Sequence, residues 1–166
     1  MDYVSTRNAG LRVSAAKAIA TGIAPDGGLF CPTEFPALDE TELHAMLGMN
    51  YKERAALILG KFLTEFTAEE LADFTEKAYA DEKFGGADTA PVVNLGDGKH
   101  ILELWHGPTC AFKDMALQML PHLLTASLKK IGEKRTACIL VATSGDTGKA
   151  ALEGFADVPG TKIMVY

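Results

Sequence analysis

The sequence is poor in the residues that build metal and redox centres. Its three cysteines, Cys31, Cys110 and Cys138, are odd in number and far apart, with no Cys-x-x-Cys spacing. Neither a zinc site nor a dithiol pair is encoded, and the three read as free thiols, buried or half-buried, in a reducing cytosol. The four histidines, His44, His100, His106 and His122, are equally scattered, and no His-Glu-x-x-His occurs, so no metal site is expected. Positive charge is not in excess either: 16 Lys and Arg face 22 Asp and Glu, for a net charge of −6. That argues against a nucleic-acid binder held by bulk charge, while leaving room for a local pocket for a small anion. No apolar run reaches the roughly 18 residues that a membrane helix needs. The opening Met1-Asp2-Tyr3-Val4-Ser5-Thr6-Arg7 has no basic stretch followed by an apolar one, so no secretory signal is visible. What is there is ordinary: 166 residues, 48% hydrophobic and 23% charged. This suits a soluble, cytoplasmic protein of one domain, or a small domain plus part of another.

No repeat or low-complexity segment interrupts the chain. The Ala-rich run 14–20 predicts a short helix, and the Gly/Pro-dense run 22–32 predicts a loop. Three helix starts follow with capping-box spacing: Asp39 with Glu42, Asn50 with Glu53, and Thr67 with Glu70. The third places Leu71, Phe74 and Ala78 on one core-facing stripe. Composition changes after 84–88, which divides a mostly helical region, 1–88, from a second region, 89–166. In the second region, strand-like runs 92–95 and 100–105 flank Gly96-Asp97-Gly98, the pattern of a hairpin. A long apolar helix is expected over 114–131, kinked or broken by Pro121. Then come a short buried strand over 137–142, a glycine-rich turn, a helix over 149–155 and a strand over 162–166. That order is the unit of a parallel sheet covered by helices. A parallel strand wants neighbours and helices on both faces, so a chain ending on its second strand reads as the N-terminal piece of a longer protein.

Two stretches carry chemistry. The first runs from Glu103 to Asp114 and contains His106-Gly107-Pro108-Thr109 and Ala111-Phe112-Lys113-Asp114. Lys113 falls at the mouth of a helix, where the positive end of the helix dipole disfavours its charge. Partial desolvation by Phe112 acts in the same direction. Both would favour the neutral amine that attacks a carbonyl in Schiff-base chemistry. The rival reading is a surface lysine paired with Asp114. The second stretch is Thr143-Ser144-Gly145-Asp146-Thr147-Gly148-Lys149, between a strand and a helix. Free N–H groups at a helix start, with glycines and the hydroxyls of Ser144 and Thr147, suit a carboxylate or phosphate. A nucleotide-binding P-loop would need Gly at 143 and Ser or Thr at 150, where the chain has Thr143 and Ala150. A purely structural turn is the remaining alternative.

Together these stretches resemble the threonine synthase family of pyridoxal-phosphate enzymes. His106–Thr109 with Ala111–Asp114 is similar to that family's cofactor-lysine motif, and Thr143–Gly148 to its substrate loop. Tyr3-x-Ser5-Thr6-Arg7 and Ala24-Pro25-Asp26-Gly27-Gly28-Leu29 are similar to its N-terminal signatures. The resemblance implies an α/β fold of the tryptophan-synthase-β-like type: an N-terminal helical region, then the start of a three-layer α/β domain, here incomplete. It implies that Lys113 holds pyridoxal phosphate and later moves protons at the substrate carbons. Phe112 and Asp146 would lie beside the cofactor, with Asp146 facing a hydroxyl or amide donor. Ser144, Gly145, Asp146 and Thr147 would hold the substrate, O-phosphohomoserine, which reacts with water to give threonine and phosphate. Arg7 and Lys149 are candidates for the substrate phosphate, with exposed ion pairing as the alternative. The cup for the cofactor phosphate and the group facing the pyridine nitrogen would lie beyond Tyr166, so the 166 residues alone are expected to be inactive. A related lyase of the same fold and a non-catalytic scaffold are the competing readings, the latter opposed by the retention of Lys113 and the intact loop.

Overall fold

A computed structural model describes residues 1–143 and 145–166. The chain opens with β1 (Asp2–Ser5), which pairs antiparallel with β2 (Arg12–Ser14) on one side. On its other side lies β3 (Phe30–Pro32), giving a three-stranded sheet in the order β2-β1-β3. This sheet is not expected from the sequence, and β3 corrects the reading of 22–32 as all loop. Pro32 is tolerated because it ends an edge strand, where no ladder donor is needed. Between β2 and β3, α1 (Ala15–Thr21) starts on the Ser14 hydroxyl, which accepts from Lys17 N at 3.3 Å.

Four helices follow: α2 (Glu40–Leu47), α3 (Tyr51–Phe62), α4 (Ala68–Ala78) and the single turn α5 (Asp81–Phe84). Each expected capping box is formed on both sides, Asp39 with Glu42, Asn50 with Glu53 and Thr67 with Glu70. Such boxes satisfy amide donors that a helix start leaves open. The stripe on α4 faces inward, with Leu71 and Ala78 buried and Phe74 partly so. Ala15 and Ala16 pack against Leu63, Phe66 and Leu71 in one core; Ala78, Tyr79, Phe84 and Met119 form a second. The second core spans residue 88. Tyr79 makes edge contacts with Tyr51 and Phe84 and donates its hydroxyl to Met115 O at 2.8 Å.

β4 (Val92–Gly96) and β5 (Lys99–Leu102) make the expected hairpin. Its turn uses left-handed backbone at Gly96, Asp97 and Gly98, the conformation that tight hairpins demand. The long helix over 114–131 is instead two: α6 (Asp114–Leu117) and α7 (Leu120–Lys130), with Pro121 in the first turn of the second. There proline costs no helix bond. β6 (Ala137–Val141), α8 (Asp146–Phe155) and β7 (Thr161–Val165) complete the chain, and β6 and β7 pair in parallel, Ala137 against Thr161 through Val141 against Val165. The expected burial of β6 is corrected: Val141 is buried, but Leu140 is 63% exposed. Inward and outward residues alternate along the strand, and α8 packs on β7, so helix covers one face of this pair. Among the described residues, no helix is long and apolar enough to cross a membrane.

Candidate functional site

Lys113 is presented by a tight loop. Cys110 N donates to Gly107 O at 3.0 Å, closing a turn that puts Cys110 at φ +55°. Asp114 N then returns to Ala111 O at 2.9 Å, and Lys113 O accepts the first amide bonds of α6 from Ala116 and Leu117. Lys113 therefore heads a helix, as expected, but one of a single turn. Its Nζ stands 4.7 Å from the centre of the Phe112 ring, a cation–π distance that shields one side of the amine. Phe112 itself is 57% exposed.

Asp114 does not pair with Lys113, which corrects that reading of the lysine. Its carboxylate is fully buried and turns back on the loop: Thr109 N donates to Oδ2 and the Thr109 hydroxyl to Oδ1, both at 2.8 Å. A buried carboxylate is tolerated when it accepts bonds of this kind. The closure needs a glycine, since a Cβ at Gly107 would stand 2.5 Å from Asp114 Cβ and Oδ2. Upstream, His106 Nε2 lies 2.7 Å from Glu103 Oε2, and its ring stacks on Trp105. Among the described residues no carboxylate pairs with Lys113, so its amine is open to a ligand.

The second stretch surrounds the start of α8. Thr143 Oγ1 accepts from Gly145 N at 3.3 Å, and Gly145 O accepts from Gly148 N and Lys149 N. Among the described residues no side chain caps this start. The first-turn amides at Asp146 and Thr147 are the groups a helix leaves for an outside acceptor. Gly148 allows close packing: a Cβ there would lie 3.0 Å from Thr143 O. Asp146, expected to face a hydroxyl or amide, instead has Lys149 Nζ 4.0 Å from Oδ1. The two sit three residues apart on the helix surface, where opposite charges meet. Ser144 lies outside the described residues.

The two stretches are linked through their helices. α6 packs on α8, and a Cβ at Gly154 would overlap Leu117 O and lie 3.0 Å from its carbonyl carbon. Backbone thus meets backbone at the end of α6, one turn beyond Lys113. No hydrogen bond or ion pair joins Lys113 to residues 145–147 among the described residues. Surface clefts among the described residues, such as that between Lys52, Lys83 and His122, are lined by other residues.

The two N-terminal signature stretches meet each other. Ser5 Oγ donates to Asp26 Oδ1 at 2.8 Å, Gly28 N donates to the same oxygen at 2.9 Å, and Arg7 Nη1 donates to Asp26 O at 3.2 Å. The Gly28 amide and the Ser5 hydroxyl hold the Asp26 carboxyl below its usual range. Arg7 is therefore engaged in a local clasp. All three cysteines are free, as expected, but exposed rather than buried. Cys31 and Cys138 fall on outward positions of short strands, and Cys110 on the turn before Lys113.

The family model described as "Threonine synthase N terminus" matches residues 2–79. The threonine synthase of Methylobacillus glycogenes is 38% identical over 172 residues, spanning 99% of this chain and 36% of that protein. The pyridoxal-phosphate-bound threonine synthase of Brucella melitensis superposes with a TM-score of 0.91 at 37% identity, covering 99% of this chain and 35% of that one. The chain is similar to threonine synthases over nearly its whole length. The yeast threonine synthase is also similar, with a TM-score of 0.88 at 34% identity. The chain spans about a third of the length of the threonine synthases it matches. Its fold is that of the corresponding third of those enzymes. Within that fold, sequence reasoning missed two devices: the bond pair between Thr109 and Asp114, and the approach of Gly154 to α6. The second had a signal, because glycine inside a helix costs about 1 kcal/mol relative to alanine and so asks for a packing reason.

Proposed function

We propose that this chain carries the cofactor lysine and the substrate loop of a pyridoxal-phosphate-dependent threonine synthase, a lyase that converts O-phospho-L-homoserine and water into L-threonine and phosphate. The observation that carries the proposal is the backbone contact of α6 with α8. It fixes the element headed by Lys113 against the helix whose start bears Gly145, Asp146 and Thr147. The residues fit the cofactor: Lys113 offers an amine with no carboxylate partner among the described residues, with the Phe112 ring beside it. When bound, pyridoxal phosphate supplies an electron sink for the substrate carbons. Lys113 holds that group and takes and returns protons at those carbons. Gly145, Asp146 and Thr147, with Ser144, hold the anionic groups of the substrate through amides and hydroxyls. Asp146 and Phe112 flank the cofactor, and the Lys149 ammonium offsets the Asp146 charge near a bound anion.

In this reading residues 1–88 form the mostly helical region and 89–166 the beginning of the cofactor-binding α/β region. The remainder of the cofactor site comes from sequence outside these 166 residues, which alone have no activity. Three exposed free thiols suit a reducing cytoplasm. The test is made on the full-length protein with pyridoxal phosphate. A lysine-linked cofactor absorbs at about 420 nm, and Lys113→Ala should abolish that band while leaving helix content unchanged. Phosphate release from O-phosphohomoserine then separates threonine synthase from a related lyase. A band that survives Lys113→Ala refutes the role of Lys113, and turnover by the 166 residues alone refutes the claim that the site is completed elsewhere.

A further inference from the structure

We propose that Asp114 is a positioning residue, which sets the reactivity of Lys113 through the loop and without touching its amine. The inference rests on the reading of Lys113 as the cofactor lysine. Lys113 is the last residue before α6, so the direction of its side chain depends on how residues 107–113 enter that single turn. A one-turn helix does not hold itself; something else must fix its start. Asp114 does so from inside. Its buried carboxylate takes both donors of Thr109, the amide and the hydroxyl, at 2.8 Å each. That clamps the loop five residues upstream onto the first residue of the helix. Its own amide closes on Ala111 O, so the segment carrying Ala111, Phe112 and Lys113 is held at both ends by one residue. Gly107 completes the clamp by leaving no Cβ where the carboxylate sits.

Both carboxylate oxygens are occupied by Thr109, and Lys113 Nζ lies over Phe112 instead. Asp114 therefore acts on geometry, not as a counter-ion or a proton carrier for the amine. Alanine at 114 removes both acceptors of the Thr109 bonds. Valine at 109 keeps the amide bond and loses the hydroxyl one. Serine at 109 keeps both.

The experiment is reductive trapping on the full-length protein. Pyridoxal phosphate is added, the linkage is reduced with borohydride, and peptide mass spectrometry gives the modification of Lys113 relative to Lys149 in the same molecule. In the parent protein Lys113 should dominate. Asp114→Ala should lower the Lys113-to-Lys149 ratio by about tenfold and Thr109→Val by several-fold, at unchanged helix content, as expected when a positioned reactive group is released. Thr109→Ser should restore the parent ratio. If Asp114→Ala does not fold, the Thr109→Val and Thr109→Ser pair carries the test. Parent-like ratios in folded Asp114→Ala or Thr109→Val overturn the positioning role and leave the lysine assignment intact. A parent protein in which Lys113 is no more modified than Lys149 overturns the lysine assignment, and this proposal with it.

Discussion

Alanine at position 154 should destabilise the protein, although alanine is the better helix former. In an unobstructed helix interior, Gly→Ala stabilises by about 1 kcal/mol. At Gly154 the new methyl would overlap Leu117 O and stand 3.0 Å from its carbonyl carbon. The obstacle is backbone and cannot rotate away, so α8 must shift from α6 by several tenths of an ångström or more. Overpacking of this kind costs about 1–3 kcal/mol, and a backbone obstacle belongs at the upper end. The net effect is a loss of about 1–2 kcal/mol, or roughly 2–8 °C in Tm for a chain of this length. Gly60 is the control: it lies inside α3, and a Cβ there would meet only Leu71 Cδ1 at an ordinary 3.6 Å. Gly60→Ala should raise Tm by about 2–4 °C. Thermal unfolding followed by circular dichroism measures both. A Tm that rises in Gly154→Ala as it does in Gly60→Ala would refute the claim that α6 and α8 are held in backbone contact.

Thr67→Ala removes the hydroxyl that accepts from Glu70 N and should cost about 1 kcal/mol, read as a lower midpoint in urea at unchanged slope. Tyr79→Phe deletes the bond to Met115 O and should cost about 1–2 kcal/mol, with the same measurement as its check. His122 is held below its usual pKa by burial, then by Lys83 and Lys77. A depressed folded value means that its contribution is complete above about pH 6.5 and is lost as pH falls through the folded value. Tm should therefore drop between pH 7 and 5, and His122→Phe should remove that part of the drop. Glu133 is held down to about 2 by Arg135 and neighbouring amides. Its titration, followed by NMR, should move up towards 4.5 in Arg135→Ala.

The parts of the fold legible in the sequence are those written within a few residues. Asp39, Asn50 and Thr67 each stand three residues before a glutamate, and each capping box forms because both partners belong to one turn. Gly96-Asp97-Gly98 is similar, since its left-handed backbone is a local demand. The β2-β1-β3 sheet is not legible in this way. Its strands are three or four residues long and are separated by a helix and a Gly/Pro-rich loop. No period can establish itself over so few positions, and the pairing of Tyr3 with Val13 and Pro32 is a tertiary choice. Burial is equally tertiary. Ala137–Val141 has the composition of a buried strand, but which face of it meets a helix depends on elements elsewhere.

The same division runs through the candidate site. The helix start at Asp146 and the position of Lys113 are readable because each follows from strand, turn and helix in order. The partner of Asp114 is not. A carboxylate beside a lysine suggests an ion pair, yet here the turn at 107–110 brings Thr109 round first, and two short bonds to it leave Lys113 free. The choice is decided by Gly107, whose missing Cβ is the room that the carboxylate fills. Gly154 does the same at the other end of α6. The two glycines act where the structure needs space, and neither takes part in the chemistry. Reading such a residue from sequence means asking of each helical or turn glycine what backbone or buried side chain it admits. At 107 the answer is the Asp114 carboxylate, and at 154 the last carbonyl of the helix that Lys113 heads.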